Sequence, residues 1–277
     1  MGYKAEETIL YVDKLSVGYK DANGKDKTIL KDVTIIEKDI VRDGHEATGQ
    51  TIAFIGRSGR GKSTLFKALT GLLKPTTGQI LITDFTTEDK TDAKQVSEGD
   101  IGFVDQKYTL FRHKTVYQIC MYGLRKSKMT KPEKEALINE YLTEWGLLEH
   151  KDKYACELSG GQRQRTAIIE QMLTSKHFMI LDEPTSGLDI HAIETVKKSF
   201  KRILDADEYN TIIFSTHNIE FAVEMADSIY IIGFPEGDSV STVIKHFDLK
   251  AMGLAWTDFG ANHLELVKEI KDLIVKS

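Results

Sequence analysis

Short apolar runs, each ended by a turn residue, alternate with segments of helical spacing from about residue 50 onward. Uninterrupted hydrophobicity of this kind predicts strands that are buried on both faces, as in a parallel sheet. The predicted strands cover residues 51–56, 101–104, 177–182, 211–215 and 228–233. The predicted helices cover residues 62–73, 161–174, 190–205 and 219–226. The alternation predicts an α/β fold with helices on both sides of the sheet.

The first fifty residues follow a different pattern. Residues 8–19 and 29–37 are patterned as antiparallel strands on either side of a turn at Asn23 and Gly24. A charged segment then follows at residues 38–50, between two apolar stretches, and is predicted to be a surface loop. The chain therefore begins with a β-hairpin rather than with the alternating α/β pattern.

Three later segments also stand apart. The polar stretch at residues 86–100 is predicted to be a second surface loop. Residues 114–161 carry mostly helical patterns without a strong strand, which predicts a helical insertion. Residues 262–275 repeat apolar side chains at helical spacing, so a final packing helix is expected there.

Composition narrows the classes of function. The 277 residues carry a formal charge of −5, from 37 Lys and Arg against 42 Asp and Glu, so a non-specific nucleic-acid binder is not expected. Cys120 and Cys156 are too few for a disulfide framework or a zinc cluster. The uninterrupted apolar runs are only a few residues long, far short of the roughly 20 that a transmembrane helix needs. We expect a chain that does not span a membrane by itself.

Residues 56–64 match the phosphate-binding pattern G-x-x-x-x-G-K-[ST], with a predicted strand before it and a predicted helix after it. Glycines let the backbone N–H groups converge on phosphate oxygens, and the helix adds the positive end of its dipole. Lys62 would reach the β- and γ-phosphates, and the Ser63 hydroxyl would coordinate Mg²⁺. The predicted ATP-binding residues of this loop are Gly56, Arg57, Ser58, Gly59, Arg60, Gly61, Lys62, Ser63 and Thr64. For the side chains of Arg57 and Arg60, an outward-facing position is the favoured alternative.

Two carboxylates, Asp182 and Glu183, follow the predicted strand at residues 177–182. A buried strand delivers such residues to the edge of the sheet where ligands of open α/β folds bind. Asp182 would help to hold Mg²⁺, and Glu183 could polarise the attacking water. An acidic turn without function is the alternative, and the phosphate-binding loop argues against it.

A second anion site is predicted at residues 158–162. Ser159 and Gln162 have the spacing of a capping box, which is the purely structural interpretation. Gly160 and Gly161 are not needed for a cap and expose backbone N–H groups at a helix N-terminus. Since one nucleotide already has its phosphates enclosed by the first loop, this segment would reach a nucleotide held by another copy.

The segment LSGGQRQR at residues 158–165 resembles the signature motif of the ATP-binding cassette (ABC) ATPases. Gln106 is similar to the glutamine of that family's Q-loop, and the segment SGLD, which ends in Asp189, resembles its D-loop. His217 resembles the switch histidine, and Tyr19 stands where the family usually has an adenine-stacking aromatic residue. Individually, these residues would be interpreted as strand-end or helix-capping residues. Their joint order and spacing favour the family.

The resemblance covers about residues 8–235 and implies a P-loop NTPase (RecA-like) core with a parallel sheet, an N-terminal antiparallel β subdomain and a helical subdomain insertion. It implies an ATPase domain at residues 1–250, with the helical subdomain at about 107–165 and a short extension with a packing helix at 251–277. The charged insert and Arg112, which stands where relatives often have proline, leave the subfamily open.

The resemblance also implies roles for the site residues, with ATP and Mg²⁺ as cofactors. Glu183, His217, Lys62 and Gln106 would be catalytic. Ser63, Gln106 and Asp182 would surround the metal. The other predicted ATP contacts are Tyr19, Ser159, Gly160, Gly161, Gln162 and Asp189. A head-to-tail dimer would place the signature segment of one copy on the nucleotide of the other, so that both sites form together.

Two functions remain open from the sequence. The first is the ATPase subunit of an importer-type ABC transporter, loosely similar to the nitrate, sulfonate and taurine group. It would act in the cytoplasm on the inner face of the cell membrane, with separate transmembrane permease subunits docked near Gln106, against residues 108–122. The alternative is a soluble ABC ATPase that serves as an assembly or remodelling factor. A binding module without hydrolysis conflicts with the presence of Glu183 and His217.

Overall fold

A computed structural model describes residues 3–20, 24, 26–42, 49–87, 92–174 and 177–277. The strands are β1 (Tyr3–Lys20), β2 (Asp26–Arg42), β3 (Gln50–Ile55), β4 (Thr77–Thr83), β5 (Ala93–Gln95), β6 (Gly102–Val104), β7 (Phe178–Leu181), β8 (Thr211–Thr216), β9 (Ser228–Gly233) and β10 (Thr242–Asp248). The helices are α1 (Lys62–Leu69), α2 (Val116–Gly123), α3 (Lys131–Glu144), α4 (Gly160–Thr174), α5 (Ile190–Ala206), α6 (Ile219–Met225) and α7 (Ala261–Lys276).

The central sheet has six strands in the order β10-β9-β3-β8-β7-β6. The pairs β3–β8, β3–β9, β7–β8 and β6–β7 are parallel, and every residue of β3, β7, β8 and β9 is buried. The predicted α/β fold with a parallel core is confirmed. The antiparallel edge strand β10 was not predicted, because its side chains are mostly half-buried or exposed and form no apolar run.

The second sheet has four strands in the order β2-β1-β4-β5 and is antiparallel. The predicted hairpin of β1 and β2 is confirmed, with Gly24 in the left-handed region at φ 77°, while Asn23 lies outside the described residues. β2 continues to Arg42, so the prediction of a loop from residue 38 was wrong for residues 38–42. The paired backbone and the burial of Ile40 account for the longer strand. Residues 43–48 of that predicted loop lie outside the described residues.

The second predicted loop, at residues 86–100, contains the strand β5, so that prediction was also wrong in part. β5 pairs with β4 at the edge of the sheet, and none of its three side chains, Ala93, Lys94 and Gln95, is buried. Lys94 pairs there with Asp100 at 2.8 Å. Such a strand is held by backbone hydrogen bonds and polar contacts, so it leaves no hydrophobic signature in the sequence. Residues 88–91 lie outside the described part.

Between β6 and β7 the chain forms α2, α3 and α4, which confirms the predicted helical insertion at residues 114–161 and the predicted helix at 161–174. α2 and α3 share a core with the sheet, to which Val116, Cys120, Ile138 and Leu142 contribute buried side chains. α4 packs against both α2 and β6 and so connects this helical region to the sheet. None of the described helices is both long enough and apolar enough to cross a membrane.

Hydrophobic clusters cover both faces of the six-stranded sheet. Alternate residues of β3 belong to different clusters, because successive side chains of a strand point to opposite faces. Ile52 and Phe54 pack with α1 and the antiparallel sheet, whereas Ala53 and Ile55 pack with the helical region and α7. The predicted final helix is thus confirmed as α7, which packs against the core.

We expect Phe54→Ala to lower the free energy of unfolding by about 3–5 kcal/mol. Phe54 is fully buried, stacks on Tyr230 with ring centroids 5.3 Å apart, and meets the edge of Phe66 at 5.7 Å. Urea unfolding followed by circular dichroism measures the change. The control is Leu72→Ala, at a side chain that is 53% exposed, for which a change within about 0.5 kcal/mol is expected. Equal effects of the two substitutions would contradict the assignment of the core.

Candidate nucleotide site

A cavity of about 720 Å³ opens at the carboxyl ends of β3, β7 and β8. It gathers residues from the start, the middle and the end of the chain. Of the predicted site residues, its lining contains Tyr19, Gly56, Arg57, Ser58, Gly59, Gly61, Lys62, Ser63, Thr64, Gln106, Asp182, Glu183 and His217. Arg60, Asp189 and the signature segment are not among the lining residues.

The loop between β3 and α1 has the geometry of an anion cradle. Gly59 and Gly61 have φ values of 80° and 89°, in the left-handed region that favours glycine. A Cβ on Gly61 would also lie 3.0 Å from the side chain of Leu30. Gly61 is the N-cap of α1 and supplies no side-chain cap. Gly61 therefore leaves the first N–H groups of α1 without a side-chain cap. Free N–H groups at a helix N-terminus are what an anion binds.

The side chain of Lys62 folds back toward the start of this loop. Its Nζ donates to the carbonyl oxygen of Gly56 at 2.6 Å and to that of Arg57 at 3.3 Å. Burial lowers the pKa of the Lys62 ammonium group, and the carboxylates of Glu183 and Asp182 oppose that shift. The ammonium group lies in the cavity with two backbone acceptors that a phosphate oxygen could replace.

Ser63 and Asp182 meet on one side of the cavity. The Ser63 hydroxyl donates to Asp182 Oδ2 at 2.8 Å. A hydroxyl and a carboxylate in contact are the oxygen donors that Mg²⁺ takes from a protein when phosphates supply the remaining ligands. This donor set fits the predicted metal.

Ser215, which the sequence reasoning missed, holds the two acidic residues in place. Its hydroxyl donates to Asp182 Oδ1 at 2.5 Å and accepts from the backbone N–H of Glu183 at 3.0 Å. In the sequence, Ser215 is only a small polar residue near the end of the apolar strand β8. Its contact with Asp182 depends on the pairing of β8 with β7, which the sequence does not show.

Glu183 and His217 form a pair at the cavity edge. His217 Nδ1 lies 2.7 Å from Glu183 Oε2, and the backbone N–H of His217 donates to the same oxygen at 3.3 Å. The Glu183 side chain is 16% exposed and that of His217 is 66% exposed. Glu183 has a φ of 53°, a conformation that costs a non-glycine residue roughly 1–3 kcal/mol and tends to occur at functional sites.

Gln106 enters the cavity from the loop after β6. Its Nε2 donates to the Ser186 hydroxyl at 3.0 Å, and neither Ser63 nor Asp182 is its hydrogen-bond partner. The Asp105 carboxylate holds the turn of this loop by accepting from the backbone N–H groups of Lys107 and Thr109. The role of Gln106 toward the metal stays a prediction.

The signature segment lies outside the cavity of its own chain. Ser159 and Gln162 form the capping box, with hydrogen bonds of 3.0 and 3.3 Å. Gly160 and Gly161 are exposed and have no close neighbours at the position of a Cβ, apart from the end of the Arg165 side chain at 3.9 Å. The capping interpretation is confirmed, and the second phosphate contact stays a prediction that requires another copy. Asp189 likewise caps α5 by accepting from the backbone N–H of Ala192 at 2.8 Å.

The side chains of Arg57 and Arg60, the two arginines of the phosphate loop, have different surroundings. Arg57 is exposed and lines the cavity. The Arg60 guanidinium lies 3.5 Å from the ring centroid of Phe234, and its Nη2 donates to the carbonyl oxygen of Ser277 at 2.9 Å. The side chain of Arg60 is therefore directed away from the cavity, but it packs against the protein instead of facing outward to solvent.

The remaining lining of the cavity comes from distant elements. Tyr19 is 43% exposed at the cavity rim. Ile29, Ile219 and Ile274 also line the cavity and were not predicted. Ile274 belongs to α7, and its position at the site follows only from the packing of that helix against the core.

Comparisons with known proteins agree on one family. A family model described as ABC transporter matches residues 45–186. The sulfate/thiosulfate import ATP-binding protein CysA of Thermosynechococcus vestitus is 37% identical over 73% of this chain and 59% of its own length. The arginine transport ATP-binding protein ArtM of Bacillus subtilis is 38% identical over 66% of this chain and 76% of its own length.

Among solved structures, cbiO1 from Clostridium perfringens, described as part of the ABC transporter complex cbiONQ, matches with a TM-score of 0.68. The two are 28% identical in sequence, and the match covers 90% of this chain and 92% of that one. The chain spans somewhat less than three fifths of the length of the CysA relatives.

We expect Lys62→Ala to raise the Kd for ATP by about 10- to 100-fold, because it removes a charged donor from the phosphate cradle. Isothermal titration calorimetry with the full chain measures this change. Lys67→Ala, at an exposed lysine on the same helix, is the matched control and should bind as the unmodified protein does. Unchanged affinity in Lys62→Ala would contradict the assignment.

Tyr19 gives a second test, directed at the adenine. Tyr19→Ala should weaken ATP binding by about tenfold, and Tyr19→Phe should not, because stacking depends on the ring and not on the hydroxyl. The same titration compares the three proteins. If all three bind alike, the adenine lies elsewhere.

Proposed function

The chain belongs to the ABC transporter family, and on this basis we propose that it is the ATP-binding and ATP-hydrolysing subunit of an ABC transporter. The observation that carries the proposal is the single cavity in which the phosphate loop, Asp182, Glu183 and His217 meet. The importer names of the sulfate/thiosulfate and arginine relatives favour transport over an assembly or remodelling role. The loose resemblance to the nitrate, sulfonate and taurine group stays a prediction.

Binding begins with the triphosphate. The N–H groups of residues 57–63 and the Lys62 ammonium group attract the β- and γ-phosphates, and Tyr19 supports the adenine at the rim. Ser63 and Asp182 would hold Mg²⁺, which supplies positive charge against the phosphate oxygens. Ser215 keeps Asp182 oriented for this task.

Hydrolysis depends on the Glu183–His217 pair. The Glu183 carboxylate accepts a proton from a water molecule, whose oxygen attacks the γ-phosphorus while the bond to the bridging oxygen of ADP breaks. His217 lies within hydrogen-bond distance of Glu183 and restricts the direction in which the carboxylate points. Gln106 and Ser186 also line the cavity, where the amide of Gln106 donates to the Ser186 hydroxyl.

A second copy completes the site in this proposal. The exposed Gly160 and Gly161, at the start of α4, would reach the nucleotide of the partner, with Ser159, Gln162 and Asp189 nearby. One chain binds the phosphates on one side only, which leaves the other side open to this contact. The dimer therefore forms when ATP is present and loosens after the γ-phosphate leaves.

The permease subunits would dock beside Gln106, against residues 108–122. Phe111 and Tyr122 are exposed there, with ring centroids 4.9 Å apart. A cavity of about 240 Å³ next to them is lined in part by Arg112 and Arg163. An aromatic surface with cationic neighbours fits an amphipathic segment of a membrane protein at the inner face of the cell membrane. We propose the division into an ATPase unit at residues 1–250, with the helical subdomain at about 107–165, and an extension at 251–277.

We expect Glu183→Gln to lower the ATP turnover rate by about 100- to 10,000-fold while ATP binding persists, because the amide cannot take up the proton. Phosphate release measures turnover, and size-exclusion chromatography with ATP detects the trapped dimer. Glu236→Gln, at an exposed carboxylate outside the cavity lining, is the matched control. Turnover at the unmodified rate would exclude Glu183 as the base.

The trapped variant also tests the transport role. Purification of Glu183→Gln from detergent-solubilised cells in the presence of ATP should recover a membrane protein with several transmembrane segments. Recovery of partners that carry no transmembrane segment would instead support the assembly or remodelling alternative.

A further inference from the structure

Arg60 lies in the middle of the phosphate loop, yet its side chain contacts the other end of the chain. The guanidinium is stacked 3.5 Å from the ring centroid of Phe234, which follows β9. Its Nη2 donates to the carbonyl oxygen of Ser277, just after α7, at 2.9 Å. The Nε atom is buried, so the group is packed into the protein rather than held in solvent. Stacking and a charged hydrogen bond act together on this one side chain.

The end of α7 is suited to receive this contact. Leu266, Val267 and Ile270 anchor the helix in the core. Gly233 allows the close approach of the last residues, since a Cβ there would lie 2.8 Å from the Ser277 Cβ. The last turn of α7 is therefore held against the core beside the phosphate loop.

The same turn reaches the nucleotide cavity itself. Ile274 lines the cavity together with Ile219, the first residue of α6, which begins two residues after His217. α6 and α7 pack against each other, and Lys271 lies 3.6 Å from Glu220. The end of α7 thus contacts the phosphate loop through Arg60, and α7 also packs on α6, the helix that follows His217.

We infer that Arg60 is a positioning residue that fastens the phosphate loop to the last turn of α7, and that this turn forms one wall of the nucleotide site. The inference rests on the proposed binding of ATP to this cavity. A loop with two glycines in the left-handed region has many accessible conformations when it is unattached. Fastening it reduces the ordering that ATP binding would otherwise require, and so strengthens binding without a new contact to the phosphates.

The alternative role for Arg60 is direct contact with a phosphate. The two roles differ in what they require of Phe234. If Arg60 fastens the loop, loss of the aromatic ring disturbs the loop even though the arginine is present. If Arg60 binds phosphate, loss of the ring frees the side chain to reach the ligand and does not weaken binding.

The test compares four substitutions in the full chain: Arg60→Ala, Phe234→Leu, Ile274→Ala and the control Val275→Ala. Val275 lies on the same turn of α7 with its side chain 78% exposed. Hydrogen exchange measured by mass spectrometry, without nucleotide, reports the order of the loop. We expect faster exchange at residues 57–61 in Arg60→Ala and Phe234→Leu, and no change in Val275→Ala.

Nucleotide binding is the second readout. The Kd and the KM for ATP should rise by about fivefold in Arg60→Ala and in Phe234→Leu. Ile274→Ala should also raise the Kd and the KM for ATP, because it removes a side chain that lines the nucleotide cavity. Because the effect is on binding, the kcat at saturating ATP should change less than about twofold. Circular dichroism confirms the fold of each variant, and if Arg60→Ala does not fold, Phe234→Leu and Ile274→Ala decide the question.

Two results would overturn the inference. One is weaker binding in Arg60→Ala combined with unchanged binding in Phe234→Leu, which would assign Arg60 to the phosphates. The other is unchanged loop exchange and unchanged ATP affinity in Arg60→Ala and Phe234→Leu. Failure of the unmodified chain to bind ATP would refute the proposed function, and with it the role of α7 as a nucleotide wall. The exchange measurement would still report on the contact between Arg60 and α7.

Discussion

The parallel pairing of β3 with β8, and of β8 with β7, is the constraint on which the nucleotide cavity depends. Ile55 is opposite Thr216, and Leu181 is opposite Phe214, so the strands end at one edge of the sheet. Gly56, Asp182 and His217 follow these ends and are brought together from distant parts of the chain. A change in register by one residue would turn the side chains of a strand to the other face and separate these groups.

The site is held by contacts between elements rather than within them. Ser215 on β8 orients Asp182 after β7, and the carboxylate of Glu183 lies within hydrogen-bond distance of His217 after β8. Arg60 joins the phosphate loop to the end of α7. The loop itself is rich in glycine, and the contacts of Arg60 restrict its conformations. Such a combination allows close contact with phosphate while limiting the entropy lost on binding.

Much of the fold was predictable because buried strands and helices leave regular hydrophobic patterns. β3, β7, β8 and β9 were predicted nearly to their observed ends. β10 escaped prediction because few side chains of this edge strand are buried, whereas β4 was missed although residues 80–82 form a short apolar run. The continuation of β2 past residue 37 was missed because Lys38, Asp39 and Arg42 surround the buried Ile40 there. In the site, Ser215 and Ile274 gave no signal, because a serine at a strand end and an isoleucine on a helix are common.

The sequence by itself determined the family resemblance and the chemistry of the cavity: a glycine-rich phosphate loop, a lysine, a hydroxyl, two carboxylates and a histidine in a fixed order. These are local features, each carried by a few adjacent residues. Only the tertiary structure decided that Arg60 is directed toward α7, that Gln106 contacts Ser186, and that Ile274 lines the cavity. Those contacts join residues far apart in the chain, so they depend on the packing of whole elements and not on any short pattern.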